Sequence, residues 1–154
     1  MKVRVAAVGK PRDAALAAAI RDFEARAAHY WPLEIVEVKE ESARNATPEQ
    51  VMQKEGERLL ARIPSASRLV LCDPGGDQMD SAAFARWLQE ERESGRDVSF
   101  VVGGAFGIAK DVRERPHRRL ALAPWTVPHE LARLVLIEQI YRAGSILRGE
   151  PYHK

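Results

Sequence analysis

Apolar runs and helical periodicities alternate along the chain. The runs Val3–Val8, Leu33–Val38, Arg68–Cys72 and Val98–Val102 predict β-strands, and Leu120–Ala123 predicts a further short strand. The intervening and final stretches predict four helices, over Ala14–Ala28, Pro48–Ile63, Ser81–Glu93 and Pro128–Arg148. Because strands and helices alternate, the pattern is typical of an α/β fold with a mostly parallel sheet.

Local signals refine these elements. Leu33–Val38 alternates apolar and acidic residues, so we expect this strand near an edge of the sheet. Thr47 and Ser81 are the expected N-caps of the second and third helices. The last helix is expected to bury its apolar positions, namely Leu131, Leu134, Val135, Ile137 and Tyr141.

The size of the chain predicts one domain, residues 1–154. With 154 residues, 45% of them hydrophobic, the chain can bury a full core. Its apolar runs are far shorter than the roughly 18 residues that span a bilayer, so we expect a soluble cytoplasmic protein without membrane contact. Cys72 is the only cysteine, which excludes an internal disulfide and CxxC-type metal or redox sites. We therefore expect no metal.

Charge is unevenly distributed although the net charge is only +2. The segment from Arg113 to the end carries eight Lys or Arg residues against four Asp or Glu residues. This surplus fits either a solvated basic face or a landing surface for a polyanion such as a nucleic acid.

Three loops that follow predicted strands carry the first candidate site. The strands end at Cys72, Val102 and Ala123, and ligands in open α/β sheets bind beside the carboxyl ends of strands. The sequence after Val102 lacks both the GxGxxG fingerprint and a Walker A motif, so a phosphate cradle is disfavoured. Gly103 and Gly104 either let a ligand lie against the main chain or are simple turn glycines.

The third of these loops is stiff and largely uncharged. Pro124 and Pro128 restrict the residues before them to extended conformations, so the loop could grip a purine through main-chain groups. Trp125 fits either a core aromatic or a stacking platform.

Polar residues on the last helix and the chain end form the second candidate site. His129 and Arg133 share one face of that helix, and Glu138 and Arg142 lie about half a turn round it. These are either exposed i,i+4 pairs or parts of a subunit interface that serves two sites.

Several segments together resemble one known family. They are the opening strand with Ala7-Val8-Gly9-Lys10, the run Lys54–Arg58, Phe100–Gly107, Thr126-x-Pro128-His129 with Arg133, Leu136-x-Glu138-Gln139-x-Tyr141-Arg142-Ala143, and Pro151-Tyr152-His153-Lys154. Over its full length the chain resembles the RlmH family of SPOUT-class methyltransferases, which act on pseudouridine in large-subunit ribosomal RNA. The resemblance implies a mostly parallel central sheet with helices on both faces, a C-terminal trefoil knot and a homodimer.

The resemblance also implies a cofactor and its site. The methyl donor S-adenosylmethionine would contact Cys72, Gly103 with its neighbour Gly104, and the run Leu122, Ala123, Pro124, Trp125, Thr126 and Val127. The chain has Leu120-Ala121-Leu122-Ala123-Pro124-Trp125-Thr126 where relatives often read LSxSxMT, and Cys72 where Leu is usual. Main-chain contacts should survive both departures.

The implied reaction is methyl transfer to N3 of a pseudouridine in 23S ribosomal RNA. His153 is the first candidate for handling the N3 proton, with His129 as its competitor. Arg142 would hold imide oxygens or a phosphate, Glu138 would orient Arg142, and Tyr152 would stack on or hydrogen-bond the base. Because the domain is small and only weakly basic, we expect the assembled ribosome, rather than naked RNA, to be the substrate.

Two other classes of protein stay open at this point. One is a flavin- or nucleotide-binding α/β enzyme that uses the same three loops for another cofactor. The other is a non-catalytic ribosome-associated protein whose basic C-terminal segment docks on RNA.

Overall fold

The architecture is a parallel β-sheet between two layers of helices. The computed structural model describes residues 1–115 and 117–154. Its strands are β1 (Val3–Val8), β2 (Leu33–Val38), β3 (Arg68–Asp77), β4 (Val98–Val102) and β5 (His117–Leu120). Its helices are α1 (Ala14–Ala27), α2 (Pro48–Leu60), α3 (Ser81–Glu93), α4 (Lys110–Glu114) and α5 (His129–Leu147). The strands pair in parallel in the order β2-β1-β4-β3-β5, which confirms the α/β prediction.

Side-chain alternation along the strands divides the core into two layers. On β1, Val3, Val5 and Ala7 face a cluster shared with α1, α3 and α5. The intervening Ala6 and Val8 face a second cluster, which includes residues of α2 and α4. Because successive strand side chains point to opposite faces, both faces of the sheet are apolar and both are covered.

The edge position of β2 and the N-cap of α2 are both as predicted. Strand β2 is the outermost strand on its side of the sheet. The Thr47 hydroxyl accepts from the Gln50 amide at 3.2 Å, and the Gln50 side chain accepts from the Thr47 amide at 2.9 Å. This reciprocal capping box satisfies two amides that the first turn of a helix would leave unpaired.

The predicted N-cap of α3 is wrong by one residue. Asp80 caps the helix, and its carboxylate accepts from the Ala83 amide at 2.7 Å. Ser81 instead donates its hydroxyl to Gln139 on α5, at 2.7 Å. Both residue types cap helices well, and the contact between α3 and α5 engages the serine elsewhere.

The predicted strand Leu120–Ala123 lies too far along the chain. Strand β5 ends at Leu120, and the apolar residues after it form a loop. The strand is polar because it lies at the other edge of the sheet, where the Arg118 guanidinium packs 5.3 Å from the centroid of the Trp87 ring. Helix α4 was not predicted because five residues are too few to show a helical period.

The predicted buried face of α5 is partly wrong. Ile137 is buried as expected, and Leu134 and Tyr141 are half-buried. Leu131 and Val135, however, are 37% and 36% exposed. The helix is apolar around most of its circumference, so periodicity alone could not identify the side that meets the sheet.

Two further expectations concern the chain as a whole. Among the described residues, no helix is both long enough and apolar enough to cross a bilayer. Threading of the C-terminal segment through a loop, as a trefoil knot, stays a prediction from the family resemblance.

Candidate functional site

A cavity of about 690 Å³ lies where β3, β4 and β5 end. We call it the strand-end pocket. Three chain segments form its wall, namely residues 72–74, residues 102–108 and residues 122–129 without Pro124, and Arg113 and Ala132 complete it. The three loops that the sequence predicted to meet therefore do meet, and the cavity has the size of an ordinary small-molecule site.

Most of the residues predicted to contact the cofactor line this pocket. Those that do are Cys72, Gly103, Gly104, Leu122, Ala123, Trp125, Thr126 and Val127. Pro124 lies in the same loop but is not part of the wall. Trp125 is 77% exposed, so it is not a core aromatic. His129, predicted as a catalytic candidate, also lines the pocket.

The predicted end of the third strand at Cys72 is wrong, because β3 continues to Asp77, but the strand is irregular between these two residues. Cys72 and Asp77 both pair with Leu120, so the residues between them bulge out of the ladder. A side chain at Gly76 would lie 2.6 Å from the carbonyl carbon of Arg119, so glycine permits this close passage along β5.

Asp73 anchors this loop to its neighbours. It accepts from Arg113 at 2.8 Å and forms an ion pair of 2.6 Å with Arg119. Burial opposes ionisation of Asp73, but hydrogen bonds from the two arginines outweigh it and lower the pKa of the carboxyl to about 2. Sequence reasoning missed this triad because its members are 40 and 46 residues apart.

The thiol of Cys72, in the pocket wall, is a poor nucleophile. Burial raises the pKa of Cys72 to about 12. Since the thiolate rather than the thiol is the nucleophile, Cys72 does not compete with a substrate for an electrophile held in the pocket.

A second group of predicted site residues gathers at the far end of α5. We call Glu138, Arg142, Tyr152 and His153 the C-terminal cluster. Arg142 donates to Oε1 of Glu138 through Nε at 3.0 Å and through Nη2 at 2.6 Å. Tyr152 donates its hydroxyl to the same oxygen at 2.9 Å, and the Arg142 guanidinium lies 4.6 Å from the centroid of the Tyr152 ring. Four of the five predicted catalytic residues are therefore neighbours.

His153 joins the cluster through one ring nitrogen. Its Nδ1 lies 3.3 Å from Nη1 of Arg142. A guanidinium can only donate, so Nδ1 must accept, and the ring hydrogen of the neutral imidazole is then on Nε2. In this arrangement His153 presents a donor to solvent, and it can accept a proton at Nδ1 only after Arg142 moves away.

A ring contact with Tyr141 also holds the Tyr152 side chain in place. Its ring meets that of Tyr141 edge-on, with centroids 4.7 Å apart. Burial and the hydrogen bond to Glu138 both raise the pKa of Tyr152. The phenol therefore stays protonated at neutral pH and acts as a hydrogen-bond donor.

The other polar pair on α5 does not form. Arg133 is 5% exposed and binds Glu37 at 2.7 Å and Glu24 at 2.8 Å, rather than pairing with His129. Arg133 thus fixes α5 to β2 and α1, which leaves His129 at the pocket.

Within one chain, the pocket and the C-terminal cluster are apart. His129 lies at the first turn of α5, and Arg142 comes thirteen residues later, which corresponds to about 20 Å along a helix. Leu131, Val135, Glu138 and Arg142 recur at intervals of four, three and four residues and so follow one side of α5. We call them the α5 stripe.

Fold and pocket together define a class of protein. A parallel α/β sheet with a cavity between the loops at its strand ends is the arrangement of a cofactor-binding α/β protein. The family model described as "Predicted SPOUT methyltransferase" matches residues 1–153. The chain belongs to the SPOUT methyltransferase family.

The similar proteins have one name in common. The chain is 62% identical over 154 residues to a ribosomal RNA large subunit methyltransferase H from Gemmatimonas aurantiaca, with both chains covered completely. Proteins of the same name from Anaeromyxobacter dehalogenans and Carboxydothermus hydrogenoformans are 44% and 40% identical, again over the whole of both chains.

Proposed function

We propose that this protein is an S-adenosylmethionine-dependent methyltransferase that modifies N3 of a pseudouridine in 23S ribosomal RNA. The observation that carries the proposal is the match over the full length of both chains, at 62% identity, with a ribosomal RNA large subunit methyltransferase H. The structure supports it with a pocket made of the residues that the family resemblance assigns to the cofactor.

The strand-end pocket suits S-adenosylmethionine in size and chemistry. Its volume of about 690 Å³ and its largely uncharged wall of glycine, alanine, leucine and valine fit a nucleoside, and exposed main-chain groups can bind the adenine and ribose. When bound, the cofactor supplies a methyl group on a sulfonium. The ionised carboxylate of Asp73 lies in the pocket wall, where Arg113 and Arg119 balance its charge.

The C-terminal cluster is proposed to receive the nucleobase. Arg142 and the Nε2–H of His153 are donors, and N3 of pseudouridine lies between two imide oxygens that accept hydrogen bonds. Stabilising negative charge on those oxygens assists loss of the N3 proton. His153 can then take up that proton at Nδ1 once Arg142 has turned to the base, and Tyr152 offers its ring for stacking.

A homodimer is proposed to join the two sites. Cluster and pocket are about 20 Å apart along α5, yet methyl transfer requires contact between base and cofactor. The exposed apolar residues Phe106, Trp125, Leu131 and Val135 lie on the pocket loops or on the α5 stripe. If two copies pack their α5 stripes antiparallel about a two-fold axis, the cluster of each lies beside the pocket of the other.

Recognition is proposed to require the assembled ribosome. The net charge of +2 provides little general attraction for RNA, and the five strands found among the described residues all belong to the sheet that forms the pocket. A shaped particle would supply the contacts that the small protein lacks. We also propose that the protein acts in the cytoplasm, because that is where assembled ribosomes are.

One experiment tests the enzyme class and the target together. Ribosomes from a strain that lacks the gene are incubated with the protein and S-adenosylmethionine carrying a labelled methyl group, and the label is mapped in the RNA. Label on one pseudouridine supports the proposal, whereas ribosome binding without label and without calorimetric heat from S-adenosylmethionine supports a non-catalytic factor. Flavin absorbance in the purified protein would favour a different cofactor, and equal labelling of naked 23S RNA would contradict the ribosome requirement.

A further inference from the structure

A carboxylate that forms no ion pair with any described residue is buried directly behind the strand-end pocket. Glu55, on α2, is 4% exposed. Its Oε2 accepts from the Glu41 amide across a long 3.3 Å, and its Oε1 is buried without a hydrogen-bond partner among the described residues. A buried acceptor without a partner costs free energy, so its presence calls for a functional explanation.

Gly104 separates this carboxylate from the pocket. A Cβ atom at Gly104 would lie 2.8 Å from Oε1 of Glu55, so the carboxylate packs against the glycine where any other residue would carry a side chain. Gly104 itself lines the pocket. One thickness of backbone therefore stands between the Glu55 carboxylate and a ligand in the pocket.

The surroundings of Glu55 leave its charge largely uncompensated. Burial, reinforced by the nearby Glu40, raises the pKa of Glu55, and Arg58 and His129 oppose that rise. Arg58 is already committed to an ion pair with Glu41. His129 lines the pocket and lies near enough to Glu55 to interact with its charge. A cation in the pocket would supply the missing positive charge.

We propose that Glu55 is a positioning residue that supplies the negative charge opposite the sulfonium of S-adenosylmethionine, so that the pocket prefers the charged donor to its neutral-sulfur product. This inference rests on the proposed function, because it presupposes that this cofactor binds in the strand-end pocket. Donor and product differ by one methyl group and one positive charge at sulfur. A carboxylate behind the pocket wall therefore discriminates between them and favours release of the product after transfer.

Calorimetric affinities test the proposal without any turnover. S-adenosylmethionine and S-adenosylhomocysteine are titrated into the dimeric wild-type protein, into Glu55→Gln and into the control Glu57→Gln, whose exposed side chain lies on the same helix and accepts from Gln53. In Glu55→Gln we expect the donor to bind about tenfold more weakly, the order of a charge pair at short range in a partly buried site, while the product affinity stays within about twofold. In Glu57→Gln we expect neither affinity to change.

A measurement on the wild-type protein tests the proposal even if Glu55→Gln fails to fold. The donor-to-product affinity ratio should rise with pH, because the carboxylate of Glu55 must lose its proton before it attracts a cation. Any pH dependence that persists in Glu55→Gln belongs to the other charged groups near Glu55 or in the pocket wall, namely Glu40, Glu41, Arg58, Asp73, Arg113 and His129.

The outcomes separate this inference from the proposed function. Equal weakening of both ligands in Glu55→Gln would show a purely structural role and overturn the inference, as would an unchanged ratio or a ratio independent of pH in the wild type. The proposed function would survive each of these results. Failure of the wild type to bind either ligand would overturn both.

Discussion

The hydroxyl of Tyr152 donates to Oε1 of Glu138, the oxygen that also accepts both hydrogen bonds from Arg142. One carboxylate oxygen therefore orients a phenol and a guanidinium that the sequence places ten residues apart.

Replacing Glu138 by Ala should disperse the C-terminal cluster. Arg142 and Tyr152 would lose their shared acceptor, and His153 would lose the neighbour that Glu138 holds in place. We expect single-turnover methylation of ribosomes to fall by about 10²-fold, the scale of losing one preorganised group. Because the ion pair is an i,i+4 pair with partly exposed side chains, the free energy of unfolding should fall by less than about 1 kcal/mol. The control Glu90→Gln, exposed on α3, should leave the rate unchanged.

His153→Ala and Arg142→Ala should each slow single-turnover methylation by about 10²-fold or more. Arg142→Lys should not restore the rate, because an ammonium cannot bind Glu138 through two nitrogens while reaching His153 through a third. Quench-flow measurement with labelled cofactor gives these rates directly. Rates within a few-fold of wild type for both alanine variants would refute the assignment of the cluster.

Leu131→Glu combined with Val135→Glu should produce a monomer. Both side chains are exposed in the single chain, so the fold should tolerate the change, whereas two carboxylates per subunit would repel each other across an antiparallel α5 contact. Light scattering coupled to size exclusion gives the mass, and circular dichroism checks the fold. A double variant that keeps the mass of a dimer would place the interface elsewhere.

Mixing two inactive variants should show which subunit contributes the cluster. One variant, Ala123→Phe, fills the strand-end pocket, and the other, His153→Ala, lacks the cluster imidazole. If the cluster acts on the pocket of its partner, mixed dimers contain one intact site and regain activity. If it acts within its own chain, each mixed dimer has two defective sites and stays inactive.

Asp73→Asn should reduce stability at neutral pH and alter its acid dependence. The pKa of Asp73 is lowered from 3.8 to about 2 in the folded protein. The carboxylate therefore stabilises the fold fully above pH 3.8, and this contribution is lost as the pH falls through about 2. We expect the variant to lose about 1–2 kcal/mol of unfolding free energy at pH 7 and to lose less than the wild type on acidification. Parallel denaturant titrations at pH 7 and pH 3 test this, and equal losses in both proteins would contradict it.

Particular elements show how much local sequence could determine. Helix α2 begins at Pro48 with Thr47 as its N-cap, both as predicted, because a cap depends on groups within three residues. The strands β1, β2 and β4 have the predicted bounds, because each is a compact and mainly apolar run that ends at a change of composition. The convergence of three loops also followed from local patterns, since parallel strands bring their carboxyl ends to one edge.

The features that local sequence did not predict depend on contacts between distant parts of the chain. The sequence determined that α5 is a helix, but the sheet and α1 selected its buried side and left Leu131 and Val135 exposed. Glu55 lies in the run Lys54–Arg58 that contributes to the family resemblance, but its proposed role could not be inferred there, since Gly104 and His129 reach it only after α2 has packed behind the pocket. Periodicity and capping depend on neighbours in sequence, whereas burial and electrostatic environment depend on neighbours in space, which exist only once the sheet has formed.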